Sequence, residues 1–88
     1  MQLLLSCAMK RSIWQSEYTQ LRKALKTLRI SKNLTQTELA KQLDKPQSYI
    51  AKYERGDRNL DFIEVLEVCS QCGTDPIDFL KTFLQTIK

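Results

Sequence analysis

Histidine is missing from the 88 residues altogether, and glycine occurs only at Gly56 and Gly73. Without histidine the chain lacks the side chain most often used as a general base or metal ligand, and two distant glycines cannot build a loop that cradles phosphates. Carboxylates stand near one another only at helix-spaced surface positions, so no catalytic set is visible and an enzyme is the least expected class. Proline is equally sparse, at Pro46 and Pro76. With no repeat, low-complexity tract or Pro/Ser-rich linker, the chain reads as one domain with a modest core. The three cysteines, Cys7, Cys69 and Cys72, are an odd count without secretory context; this argues against a disulfide framework and for the cytoplasm. Cys69 and Cys72 are spaced as a C-x-x-C, but a structural zinc needs four ligands and only Cys7 remains, so both are expected as buried helix cysteines. No metal and no cofactor are expected.

Long hydrophobic runs are also missing. The apolar stretch within Met1 to Met9 is short and has no basic residue ahead of it, so it reads neither as a signal peptide nor as a membrane span. Leu4-Leu5-Ser6-Cys7 faintly resembles a bacterial lipoprotein cleavage site, yet it lacks the basic start and longer apolar stretch that such a site needs. Residues 1–16 are expected to form a loosely ordered arm or an extra helical turn ahead of a domain at residues 17–88, with Met9 an alternative translation start. Trp14 would anchor that arm to the domain or serve an interface.

What the chain does have is segregated charge. Residues 10 to 58 carry twelve Lys or Arg against five acids, a net +7, whereas residues 59 to 88 carry Lys81 and Lys88 against five acids, a net −3. A basic block beside an acidic one suits a surface that faces a polyanion.

Helical periodicity runs through the rest. Tyr18, Leu21, Leu25 and Leu28 recur at helix spacing within Glu17 to Ile30 and predict a first helix, with Asn33 a stop. Thr35-Gln36-Thr37-Glu38 is a capping box opening a second helix that ends at Leu43. Asp44-Lys45-Pro46 interrupts it, because proline has no N–H and pushes the preceding residue away from helical angles. A third helix then runs to Arg55, with Gly56 placed to take the left-handed conformation that ends helices. Asp61 can cap a fourth helix whose Phe62, Val65, Leu66, Cys69 and Cys72 share a face, and Asp75-Pro76 opens a fifth. On that last helix Ile77, Phe79, Leu80, Phe83, Leu84 and Ile87 fan over about 160°, wider than one core requires. Phe79, Phe83 and Ile87 are therefore expected at a dimer interface. The fold class is all-α, with five helices.

At about 100° per residue, Gln47, Ser48, Ala51, Lys52 and Arg55 fall within one arc of about 140° on the third helix, while Ile50, Tyr53 and Glu54 lie opposite and Tyr49 at the boundary. A narrow face of donors and acceptors backed by an apolar anchor suits a major groove: Gln matches adenine, Ser reads either class of base, Lys reaches guanine acceptors or phosphate, and Ala allows close approach to a thymine methyl. Taken alone, such a face is also what an ordinary surface helix shows.

The flanking residues extend the pattern. Leu34-Thr35-Gln36-Thr37-Glu38-Leu39-Ala40, a turn, and Gln47-Ser48-Tyr49-Ile50-Ala51-Lys52-Tyr53-Glu54-Arg55-Gly56 resemble the Cro and phage-repressor-like, or XRE, helix-turn-helix family over about residues 18 to 80. The resemblance implies a lambda-repressor-like domain in which helices two and three form the helix-turn-helix. It implies that Gln47 and Ser48 read bases, that Gln36 contacts phosphate and braces Gln47, and that Arg29 pairs with Glu54; Ala51 and Lys52, on the same projected face, are expected to join the base reading. Thr37, Lys45, Arg55, Arg58 and Asn59 are expected at phosphates, setting register without reading sequence. The family usually has Gly where this chain has Asp44, and a small polar residue where it has Pro46; aspartate tolerates left-handed angles better than most residues, so the turn is expected to survive. The implied partners are double-stranded DNA and a second copy of the chain, in a transcriptional repressor. An antitoxin with a toxin protein as partner, a restriction-modification controller, and an interaction module that kept the fold without DNA binding are the alternatives.

Overall fold

The computed structural model describes the backbone of residues 10–87 and the side chains of residues 15–87. The readings of Met1 to Met9, of Cys7 and of the Trp14 side chain lie outside the described residues. Among the described residues the elements are all helical: α1 (Lys10–Ser31), α2 (Gln36–Leu43), α3 (Gln47–Arg55), α4 (Phe62–Gln71) and α5 (Pro76–Thr86). Helix α1 begins seven residues ahead of the expected Glu17. Nothing between Lys10 and Glu17 is a proline or glycine, so no residue there interrupts the backbone hydrogen bonding.

Each remaining boundary has a local cause. Thr35 accepts from the Glu38 amide while Glu38 reaches back to the Thr35 amide at 2.8 Å, closing the expected capping box. Asp61 and Glu64 form a second one at α4. At α5 the Asp75 carboxylate accepts from the Ile77 amide, with Pro76 in the first turn, where its missing N–H removes nothing from the helix. Helix α1 is left through Asn33 at φ 60°, and α2 through Asp44 at φ 58°, ψ 44°. Aspartate thus takes the left-handed position where the family prefers glycine. Gly56, at φ 93°, ends α3, and its bare Cα leaves room for the Arg22 guanidinium, which would stand 2.8 Å from an added Cβ.

The core lies where α1, α2, α3 and α4 converge, with α5 closing over α4. Leu25, Leu39, Ile50, Tyr53, Val68 and Cys69 are its fully enclosed side chains. Of the face expected on α4, Val65, Cys69 and Cys72 are buried and Leu66 is half-buried; Val68 joins them inside, and Phe62 does not. Phe62 is 63% exposed; as the first residue of α4, beside the Asp61 cap, it lies at the rim of the packing rather than within it. Phe79 belongs to the core, and Leu80 and Phe83 pack partly against it, leaving Ile77 and Leu84 as the exposed large apolar residues of α5. No helix of the described residues is long and apolar enough to cross a membrane.

Candidate nucleic-acid interface

Helix α2 packs on α3, and Leu39, Ala40 and Ile50 are buried together in the core to which both helices contribute. Buried Tyr49, Ile50 and Tyr53 anchor α3 from behind, with the two tyrosine rings meeting edge to face at 5.9 Å. The opposite side of the helix is thereby held outward: Gln47, Ser48, Lys52 and Arg55 are exposed and Ala51 is half-buried between them. Thr37 is exposed on the first turn of α2, Gln36 beside it is half-buried, and Lys45, Arg58 and Asn59 are exposed in the segments on either side of α3.

Beneath this face runs a continuous hydrogen-bonded chain. The Arg29 Nε donates to Glu54 Oε2 at 2.8 Å and its Nη2 to Glu54 Oε1 at 3.2 Å, in a pair whose side chains are 9% and 4% exposed. The remaining Nη1 donates to the Leu34 carbonyl at 2.7 Å, so the guanidinium also ties α3 to the segment before α2. A buried ion pair of this kind is favourable only when its leftover donors and acceptors are satisfied. Glu54 completes that condition by accepting from Gln36 Nε2 at 2.9 Å. Gln36 Oε1 in turn accepts from Gln47 Nε2 at 2.6 Å, the brace expected between those two residues.

A second cluster was not visible in the sequence. The Lys45 ammonium stands 5.3 Å and the Arg58 guanidinium 5.0 Å from the centre of the Tyr49 ring, so the loops before and after α3 are both held to its first turn by cation–π contacts. Arg58 also donates to Glu64, whose carboxylate sits below the ordinary range because the Asp61 amide donates to it and Arg58 stands beside it. Burial, reinforced by the Glu64 charge, raises the Tyr49 phenol. The available signal was an aromatic residue at the edge of the helical projection with cations in both adjoining loops; its joining to Glu64 needed the fold. Two of the expected phosphate contacts therefore have carboxylate partners, Arg58 with Glu64 and Arg55 with Asp57 at 2.8 Å. Lys45 and Lys52 make no salt bridge among the described residues.

The expected dimer residues are not brought together in the same way. Phe79 is 8% exposed and belongs to the protomer's own core, so it is withdrawn from the interface set. Phe83 stacks parallel to it at 6.3 Å between ring centres and is half-buried, as is Ile87.

A helix-turn-helix family model matches residues 25–79, the span that contains Arg29, both helices of the motif and α4. An XRE-family like protein from Pseudomonas syringae pv. tomato str. DC3000 superposes with a TM-score of 0.83 at 35% identity, covering 89% of this chain and 95% of that one. The chain belongs to the XRE family of helix-turn-helix proteins. XRE-family proteins are DNA-binding transcriptional regulators in their general character, and the five-helix fold is the lambda-repressor-like one. The clp gene regulator ClgR from Corynebacterium glutamicum is similar at 25% identity and a TM-score of 0.70, over 81% of this chain and 76% of that one. A mutant of the restriction-modification controller protein C.Esp1396I shares the fold, with a TM-score of 0.74 at 21% identity over 81% and 95% of the two chains. No match is found among the curated proteins.

Proposed function

We propose that this XRE-family chain binds duplex DNA sequence-specifically as a homodimer on a two-fold-related operator, and acts as a transcriptional repressor. The observation that carries the reading is the outward face of α3: Gln47, Ser48 and Lys52 exposed, Ala51 between them, and Gln47 braced from behind by Gln36. A helix-turn-helix places the amino end of its second helix at base edges in the major groove, where Gln47 and Ser48 stand. Lys45 and Arg58, held over Tyr49, flank that end, and there they would contact phosphates and set register.

A single such motif reads one half-site, and a second copy supplies the other. The surface that supports dimer formation is α5 with its neighbouring groove against α1, where Ala24, Leu28 and Phe83 line a volume of about 540 Å³. Ile77 and Leu84 are further exposed apolar residues of the same helix, and Ile87 is half-buried near its end. Likeness to the clp gene regulator ClgR at 25% identity supports the regulator reading.

A fluorescence anisotropy titration of the chain on duplex DNA across a range of salt concentrations tests the reading. Affinity should fall steeply with salt, with a slope of log affinity on log salt of about 0.9 per phosphate neutralised. Lys45 and Lys52 should contribute fully and Arg55 and Arg58 less, because each of these must give up a carboxylate partner. A titration without salt dependence would contradict DNA binding.

A further inference from the structure

We propose that Glu54, which lies beneath the DNA-facing surface, is a positioning residue for base selection. Its buried carboxylate dictates which end of the Gln36 amide faces inward, and through Gln36 which end of the Gln47 amide is turned to the DNA. The inference rests on the DNA-binding reading and deepens it by assigning the preferred base class.

An ionised carboxylate only accepts, and both Glu54 oxygens already face Arg29. Gln36 can therefore meet Glu54 at 2.9 Å with its NH2 group and not with its carbonyl, since two acceptors at that distance in a buried setting would repel. Leaving such a group unpaired disfavours the reversed amide by about tenfold or more. With Nε2 turned inward, Gln36 presents Oε1 to Gln47, which must answer with a donor, and it does so through Nε2 at 2.6 Å.

One amide proton of Gln47 is thus used inside the protein. What remains for the groove is one donor, the second Nε2 proton, and one acceptor, Oε1. Adenine offers one acceptor, N7, and one donor, N6–H, so it matches that remainder; guanine offers two acceptors, N7 and O6, and would require both protons. An untethered glutamine could turn its NH2 group fully to guanine. The inward chain withholds that option, so the buried charge at Glu54 favours adenine over guanine at a base that Glu54 never touches.

Selection of bound sequences from a random duplex pool, with the natural chain and two variants, tests this. Glu54→Gln keeps the volume but can donate to Gln36 and turn both amides around. The double variant Arg29→Met with Glu54→Leu replaces the whole pair by apolar side chains of similar size, an exchange that folded proteins commonly tolerate. The natural chain should choose adenine over guanine at one position of each half-site. In both variants that preference should shrink by about tenfold, within the range that one good bidentate contact supplies, with the other half-site positions unmoved.

A merely structural role for Glu54 would lower the melting temperature and leave base preference alone. Folded, DNA-binding variants with unchanged adenine preference would overturn the proposal. Should both variants fail to fold, side-chain amide resonances of the natural chain decide: Gln36 and Gln47 should show contacts to each other and slowed solvent exchange, and freely exchanging amides would overturn it. A natural chain that binds no duplex at all would instead overturn the DNA-binding reading beneath it, while the amide resonances still report whether the chain of hydrogen bonds exists.

Discussion

Arg29 and Glu54 are separated by 25 residues in sequence and joined by two hydrogen bonds in space. Their burial makes the pair sensitive to the loss of one member, because the survivor is then a charge without compensation. Glu54→Ala should cost about 3–5 kcal/mol, a large part of the roughly 5–15 kcal/mol that holds a small domain folded. A thermal melt should show the midpoint lowered by about 10 °C or more; an unchanged midpoint would contradict the pairing. Spacing alone placed Glu54 beside Ile50 on the inward side of α3, and the family resemblance supplied its partner. The Gln36 contact to Glu54 was beyond either, because it depends on how α2 packs on α3.

At the scale of the elements, boundaries were largely readable, since caps are local chemistry. Thr35 with Glu38, Asp61 before α4, and Asp75 with Pro76 each act within a few residues of where they stand. The start of α1 was set too late: Trp14 stands four residues ahead of Tyr18 and continues the spacing of Leu21, Leu25 and Leu28, and residues 10–16 carry no breaker. Phe62 was misplaced for a different reason: its spacing fits the buried face of α4, but a first-turn residue reaches past the edge of the neighbouring helices.

The two left-handed helix ends offer a comparison. Asp44→Ala should destabilise by about 1 kcal/mol, because alanine resists φ near 58° while aspartate tolerates it, whereas Asp44→Gly should stay within about 0.5 kcal/mol of the natural chain. Gly56→Ala should cost more than Asp44→Ala, since the new Cβ meets the φ penalty and must also displace the Arg22 guanidinium. Urea melts of the three variants check the order Gly56→Ala, Asp44→Ala, Asp44→Gly, from most to least destabilised.

Across the whole molecule, the interior carries acidic groups that resist ionisation. Burial pushes the Cys69 thiol up to about 11 from an ordinary 9.0, with Cys72 adding to the effect. Burial likewise raises Cys72, and raises Tyr53 with help from Glu54. A group whose folded value is raised holds its proton longer in the folded state than in the unfolded one. The stability it contributes is therefore fully present below the unfolded value and drains away as pH climbs between 9.0 and about 11. Melting temperature should fall across that window, and Cys69→Ala should flatten the fall. A profile equally steep in that variant would contradict the assignment of Cys69. The same burial fits the reading of Cys69 and Cys72 as packing residues, both free thiols in the core.

The charge asymmetry, the capping pattern and the Gln47 face together made the candidate DNA-reading surface legible in the sequence, whereas the cluster of Tyr49, Arg58 and Glu64 was not, being assembled from a helix, a loop and a cap. The central claim concerns Gln47, and competition binding on single-base variants of a selected half-site tests it most directly. Gln47→Ala should relax preference at one position by about 1–3 kcal/mol while leaving non-specific affinity and its salt slope largely in place. Weakening of every variant by the same factor would contradict the claim: Gln47 would then only position the helix, and the reader would have to be sought at Ser48 or Lys52.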